Sequence, residues 1–469
     1  RTWPDDPSEP VIFLGEWCKL FTRRHIWSKM DYEVLPYHWD TRDDLYKDHI
    51  FLDKVYESTL ANLSNWLNYI HGVKYDTGYW RIIIGRWLFQ FVQILYDRYK
   101  SIDTAYNTNN VSNTYIGVYD RNIVLPKNTT DFHKICYTDS YNHYLYSKII
   151  SYLNKIPYKV KDFDNYSINN SFQSNINQYN PISLKKLHSL IARSVPDKLN
   201  KIVLFLDRNK LSIVDQIFLQ LSMFQFPVLG FENFKDIKFE IDWELRRSYE
   251  KSKKNNEFID LLNDFLIGQI PQIFIEGYNN LSSQVSKLFP KKVNLIVSDN
   301  AYYFHEPFKL WAASMKEKGA KLAVFQHGGH YGSGLFSCFE DHEMQISDIY
   351  YSWGWSLNHK TIPLAPIHLS KERKKNIPNK DGKILLTLLT VPRYFYASYS
   401  ITIGANAFMN YIDDQFKFVE HLTTINKNKL LIRMHKNDYK WDQKKRWLDK
   451  FPNIEYESGE IPFFKQLNQ

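Results

Sequence analysis

The chain has 469 residues, 44% hydrophobic and 24% charged, an ordinary globular composition with room for two domains. Its net charge is +9, yet the basic residues are dispersed and neither zinc-finger spacing nor an aromatic RNA-binding strand occurs, which excludes the common nucleic-acid modules. Three cysteines, Cys18, Cys136 and Cys338, far apart and odd in number, exclude a disulfide framework and fit a reducing, cytoplasmic compartment.

The chain begins at "RTWPDD" without a methionine and stops at "FFKQLNQ", so both ends are expected to be cut. "VIFLG", Val11 to Gly15, reads as a short buried strand. "TRDD", Thr41 to Asp44, is a capping box for a helix with Leu45, Leu52, Tyr56, Leu60, Leu63 and Leu67 near one stripe, ending at His71-Gly72. A second helix is expected over Tyr79 to Ser101. Its most apolar part, Ile82 to Tyr96, carries Arg86, Gln90 and Gln93. A bilayer span needs about 20 apolar residues, so this is a buried helix. Residues 105–180 are Asn/Tyr/Ser-rich and weakly patterned.

From 200 onward the pattern sharpens. "IVLFLD" at 202–207 reads as a strand or a helix start, and 211–224 and 261–267 read as helices. Three strands with intervening helices are then expected: "QIFIEG" at 272–277, "VNLIVSDN" at 293–300 and "KLAVFQHGG" at 321–329. Asn280 to Phe289 is a helix stopped by Pro290. The next helix has Pro307 in its first turn and Gly319 at its C-terminal cap. This alternation means a parallel sheet covered on both faces. "HLSKERKKNIPNKDG", His368 to Gly382, reads as a linker. After it come strands at 383–391, 429–436 and 453–458, with helices at 408–422 and 441–451. The expected architecture is α/β with two Rossmann-like domains. The N-terminal one, 1–370, has large helical additions, and the C-terminal one, 381–469, is short by about half a sheet.

Ligands of open parallel sheets bind beyond the carboxyl ends of the strands. That rule selects Glu276, Asp299, Asn300, Gln326, His327, Gly328 and Gly329 in the first domain, and Arg393, Arg433, His435 and Lys436 in the second. His327 ends a buried strand beside two glycines, which let a ligand or a facing element approach the backbone. The alternative is a histidine that caps its sheet. Asp299 suits a nucleophile or general base, or else Asp299 or Asn300 caps the next turn. Glu306 reads as a first-turn acid. Tyr331 lies in the same glycine run. His342 and Glu343, in "EDHE", are candidate acids or bases, and with His327 and His330 they form the alternative of a metal hydrolase, although the spacing matches no metal motif. "RMHK", Arg433 to Lys436, suits phosphate, or is a solvated basic edge.

"FLGEWC" at 13–18, "YHWDTRDDL" at 37–45, "YWRIIIGRWL" at 79–88, "FQHGGHYG" at 325–332, "YYSWGW" at 350–355 and "RMHKNDYKWDQKKRW" at 433–447 together resemble a family of bacterial transferases encoded in O-antigen and surface-polysaccharide regions. The family is longer at both ends, and its further nucleotide-side motif lies beyond "KQLNQ". The resemblance implies a GT-B-type glycosyltransferase. Residues 1–370 would hold the acceptor and 381–469 the donor, a CMP- or other nucleotide-linked sugar serving as substrate, with no separate cofactor or metal. Asp299, His327, His342 and Glu343 would be catalytic; Glu276, Asn300, Gln326, Gly328, Gly329 and Tyr331 would touch substrate; Arg393, Arg433, His435 and Lys436 would hold the nucleotide phosphates. Bacterial β-Kdo transferases are similar only in architecture and in an Asp nucleophile. The expected partners are a glycan or lipid-linked acceptor and, through the +9 charge, the inner face of an anionic membrane, but no nucleic acid. A polyol-phosphate transferase, a nucleotide-sugar epimerase and a non-catalytic scaffold are the remaining alternatives.

Overall fold

The computed structural model describes residues 8–108, 111–161, 201–206, 211–227, 240–250, 255–369, 382–400 and 406–467, with isolated positions 3, 6, 196, 199 and 404. Most of the expected linker, and residues 162–180 of the Asn/Tyr/Ser-rich stretch, lie outside them.

In chain order, β1 (Val11–Phe13) pairs in parallel with β2 (Tyr32–Val34). Two long helices follow, α1 (Arg42–His71) and α2 (Thr77–Thr108). Thr41 is the N-cap as read, its hydroxyl accepting the Asp44 N–H at 3.2 Å, but the Asp44 carboxylate takes the Thr41 hydroxyl at 2.6 Å, where a full capping box would bond the Thr41 N–H; Gly72 closes α1 at φ 63°. Then come β3 (Thr114–Gly117), α3 (Thr129–Ile135), α4 (Asp139–Leu153) and β4 (Tyr158–Lys161), with β3 and β4 parallel.

A five-stranded, wholly parallel sheet has the order β5 (Ile202–Phe205), β6 (Leu295–Ser298), β7 (Lys321–Phe325), β8 (Ile349–Ser352) and β9 (Thr361–Pro363). Its helices are α5 (Ile213–Ser222), α6 (Glu257–Leu266), α7 (Tyr278–Leu288), α8 (Glu306–Lys316) and α9 (Cys338–Ile346). Pro307 sits in the first turn of α8, whose N-cap is the His305 ring accepting the Phe308 N–H at 3.0 Å. A second parallel sheet has the order β10 (Ile384–Thr387), β11 (Leu430–Arg433) and β12 (Glu455–Glu457), with α10 (Ala407–Glu420) and α11 (Gln443–Lys450). The fold is therefore α/β with parallel sheets. No helix among the described residues is long and apolar enough to cross a membrane.

The expected strand at 272–277 does not form. Gln272–Phe274 is a turn of 3₁₀ helix, and the Gln272 and Ile273 N–H groups donate to Pro126 and Lys127 carbonyls at 3.0 and 2.9 Å. A short apolar run is equally compatible with burial outside a sheet. The neighbour of β6 is instead β5, over ninety positions earlier. On the other side β8 and β9 extend the sheet; β9 is an edge strand, where Pro363 costs no ladder bond.

The core centres on α2, which is buried on every face. Ile84, Trp87, Leu88, Phe91, Val92 and Leu95 are wholly inaccessible. Full burial stabilises an aliphatic or phenyl side chain by about 1.5–3 kcal/mol. The main cluster also takes in Val391, Phe395, Phe408 and Trp441, while Leu388, Val419, Leu430, Ile432, Met434 and Trp447 form a separate cluster under the second sheet. Because α2 is enclosed, each polar residue on it needs an internal partner.

Candidate functional site

The carboxyl ends of β6 and β7 meet α2 and α9 around one side chain, Tyr303. β6 ends at Ser298, and the short helix Ala301–Phe304 follows immediately. The Ser298 hydroxyl, not Asp299 or Asn300, accepts the Ala301 N–H at 3.2 Å and holds that turn. Asp299 is buried at the strand end, with its carbonyl accepting the Tyr302 hydroxyl at 3.0 Å. Tyr303 comes next. Its hydroxyl donates to the Glu343 carboxyl and its ring lies 5.3 Å from the exposed His327 imidazole.

Glu343 comes from α9 and is fully buried. It also accepts the Tyr350 hydroxyl, at 2.9 Å, and the backbone N–H of His327. Burial pushes its pKa up to about 8, against the lowering effect of those hydrogen bonds. Glu343 thus anchors the backbone that presents His327, rather than facing substrate itself. His342 is buried too, and among the described residues neither of its ring nitrogens has a hydrogen-bond partner. Burial, reinforced by the Arg86 charge, holds its pKa well below the ordinary value. Its ring packs against Gly85, where an added Cβ would stand 3.1 Å from Cε1. It borders a small cleft that His49, Asp53, Tyr56 and Gln93 also line.

The glycine run owes its composition to its own aromatic neighbours. A Cβ on Gly328 would meet the Tyr331 ring at 2.6 Å, and one on Gly332, at φ 73°, the Trp355 ring at 2.5 Å. Gly329 is open, its nearest neighbour being Trp353 at 3.7 Å. Gln326 and Tyr331, expected to touch substrate, do internal work. Gln326 Oε1 accepts the Trp353 N–H at 2.7 Å and the Trp355 indole N–H at 2.9 Å, stapling β7 to the segment after β8. Tyr331 is buried, 3.3 Å from the Tyr303 hydroxyl. His330 Nε2 lies 3.2 Å from the Ser337 hydroxyl.

Glu276 is not at a strand end. Both its oxygens take the Arg246 guanidinium, at 2.7 and 2.8 Å, in a buried pair. Glu306 is a first-turn acid as read, paired with Lys309 at 2.6 Å. Among the described residues no three His, Cys, Asp or Glu side chains converge as a metal site would require.

In the second sheet the two arginines are committed to protein. Arg393 donates to the Trp17 carbonyl at 2.6 Å and pairs with Asp139, which Lys440 also reaches at 2.7 Å. Arg433 pairs with Glu457 at 2.7 Å and also donates to Gln466. His435 and Lys436, just past the carboxyl end of β11, are exposed. Their backbone lies against Gly459, whose φ of 86° and lack of a Cβ permit an approach that any side chain would block, 2.5 Å from the Met434 oxygen.

Tyr303 and the cationic role of Arg86 escaped the sequence reading. Arg86 is 2% exposed, with the rings of Phe339, Phe89, Tyr303 and Phe304 at 4.8, 5.0, 5.3 and 5.3 Å from its guanidinium carbon. The signal was one charge inside "IIIGRWLFQF", but the rings that enclose it come from distant segments.

The molecule is thus an α/β protein with an exposed imidazole and an aromatic-lined cation at the carboxyl end of its parallel sheet, the place where such folds bind ligands. The model of the LIC12162 family transferases matches residues 1–469, and the chain belongs to that family. No curated protein and no solved structure matches the chain.

Proposed function

We propose that this transferase moves a sugar from a nucleotide-activated donor onto a glycan or lipid-linked acceptor in surface-polysaccharide assembly, on a two-lobed GT-B-type frame. Residues 1–370 hold the acceptor and the reacting carbon, and 381–469 hold the nucleotide. The observation that carries the reading is His327: an exposed imidazole at the carboxyl end of β7 whose backbone is fixed through Glu343 to Tyr303 and Tyr350.

In this reading His327 accepts the proton of the acceptor hydroxyl. The acceptor oxygen bonds to the anomeric carbon as its bond to the donor phosphate breaks, and the electron pair leaves on the phosphate. His435 and Lys436 face the departing phosphate, the role that Arg393 and Arg433 were expected to share. Asp299, buried one strand away, polarises the site from beneath. The protein would work at a membrane's inner face if its acceptor is lipid-linked.

The test is turnover of CMP-, CDP- and UDP-sugar donors by full-length protein and by His327→Ala. Loss of general-base catalysis lowers the rate about 10²–10⁴-fold. Near-normal turnover by a folded His327→Ala protein defeats the assignment. A polyol-phosphate product, or an epimerised donor without transfer, replaces sugar transfer with that activity.

A further inference from the structure

We infer that Arg86 is an anion receptor: the carboxylate or phosphoryl group of a substrate pairs with the Nε–Nη2 edge of this guanidinium, inside its cage of aromatic rings. The word substrate rests on the transfer reading above; the anion site does not.

The chain shows how it satisfies a buried arginine. Arg98, twelve positions along the same helix, is wholly buried, and it pairs with Asp97 at 2.5 Å, with Asn142 Oδ1 at 2.7 and 2.9 Å, and with the Phe395 carbonyl at 2.8 Å. Arg246 has Glu276 and two carbonyls. Arg86 is nearly as buried, and its hydrogen bond among the described residues is Nη1 to Gln90 Oε1 at 2.9 Å. Among the described residues its Nε has no partner, no carboxylate pairs with it, and the amide nitrogen of Gln90 is unpartnered as well. The nearby Lys309 adds positive charge, and that charge is already balanced by Glu306. Ring faces attract a cation by about 0.5–2 kcal/mol, far less than the cost of isolating it from water.

The vacant edge is the two-donor side that matches a carboxylate or phosphate. The cage is not equally rigid around it. Phe89 and Tyr303 are 4% exposed, whereas Phe304 is 36% exposed and Phe339 is half-buried. The anion enters on the Phe304 side, next to Tyr303 and therefore next to His327.

The test uses full-length protein titrated with inorganic phosphate or with acetate, at ionic strength held constant with chloride. The expected result is a saturable rise in Tm with one of the two, which tells a phosphoryl group from a carboxylate, and at least a tenfold loss of that affinity in Arg86→Gln. Arg86→Lys, which keeps the charge but not the edge, falls between. Equal shifts in wild type and Arg86→Gln, or none in either, overturn the proposal. Should Arg86→Gln not fold, the wild type alone decides: a guanidinium-directed dicarbonyl reagent, read by peptide mass spectrometry, must label Arg86 and be blocked by the stabilising anion. Absence of labelling, or labelling that the anion leaves unchanged, also overturns it. Saturable binding at Arg86 with full transfer activity in His327→Ala would keep the anion site and sink the transfer mechanism, so the two failures are separable.

Discussion

The two larger parallel sheets end in polar residues of opposite standing. At the carboxyl ends of β6 and β7, His327 is exposed and Arg86 keeps an edge without a partner among the described residues. Beyond β10 and β11, Arg393 and Arg433 look better suited to bind phosphate, but carboxylates from other segments already hold them. The strand-end rule therefore finds where a ligand can bind, but the charge on a residue does not say whether it is available. Availability depends on whether a counter-charge arrives from elsewhere in the chain. Here Asp139 reaches Arg393 from α4 and Glu457 reaches Arg433 from β12.

The largest effects should separate the two ends cleanly. His327→Ala should lower turnover by about 10²–10⁴-fold and leave Tm unchanged. Arg433→Met should do the reverse. It leaves the half-buried Glu457 without its cation, so denaturant titration should show a loss of about 1–3 kcal/mol, below the cost of breaking a fully buried pair, with donor KM little changed in the molecules that remain folded. An Arg433→Met protein with wild-type stability and a raised donor KM would break the comparison and return Arg433 to the phosphate.

A smaller effect sharpens it. Lys436 is exposed beside the Gly459 backbone. Lys436→Ala should raise donor KM about tenfold, the equivalent of about 1.4 kcal/mol, without moving Tm. No change in KM would mean that the second sheet lends no cation from this loop to the donor.

Much of this was legible locally. The Thr41 N-cap, Pro307 in the first turn of α8, and strands β6 and β7 follow from rules that act over a few residues, and they form as read. The failures come from longer range. "QIFIEG" has the composition of a buried strand, but its N–H groups go to the 126–127 segment and not to a sheet. Gln326, Tyr331 and Glu276 were selected for polarity near strand ends. Trp355, Tyr303 and Arg246, which claim them, lie between about 28 and 30 positions away. Arg86 is the converse. Its oddity is visible as a charge in an apolar helix, but its meaning depends on Phe304 and Phe339 closing over it from two other segments.

The finest test concerns the anchor beneath His327. Glu343 has its pKa pushed up to about 8 from an ordinary 4.5 by burial. Between those values the folded protein holds a proton that the unfolded chain releases. Its contribution to stability is therefore greatest at the acid end and is lost as pH rises through about 8. His342 works the other way. It is held neutral when folded but gains a proton when unfolded below 6.5, so its contribution grows with pH and levels off near that value. Asp341, pushed up to about 7 by burial, loses its own contribution as pH rises to that value, so the interval from about 7 to about 8 isolates Glu343. Thermal melts should show wild-type Tm falling across it, and the fall should be absent in Glu343→Gln, whose amide oxygen can still accept from Tyr303. Parallel curves for the two proteins would place the titration elsewhere and leave His327 without its buried acid anchor.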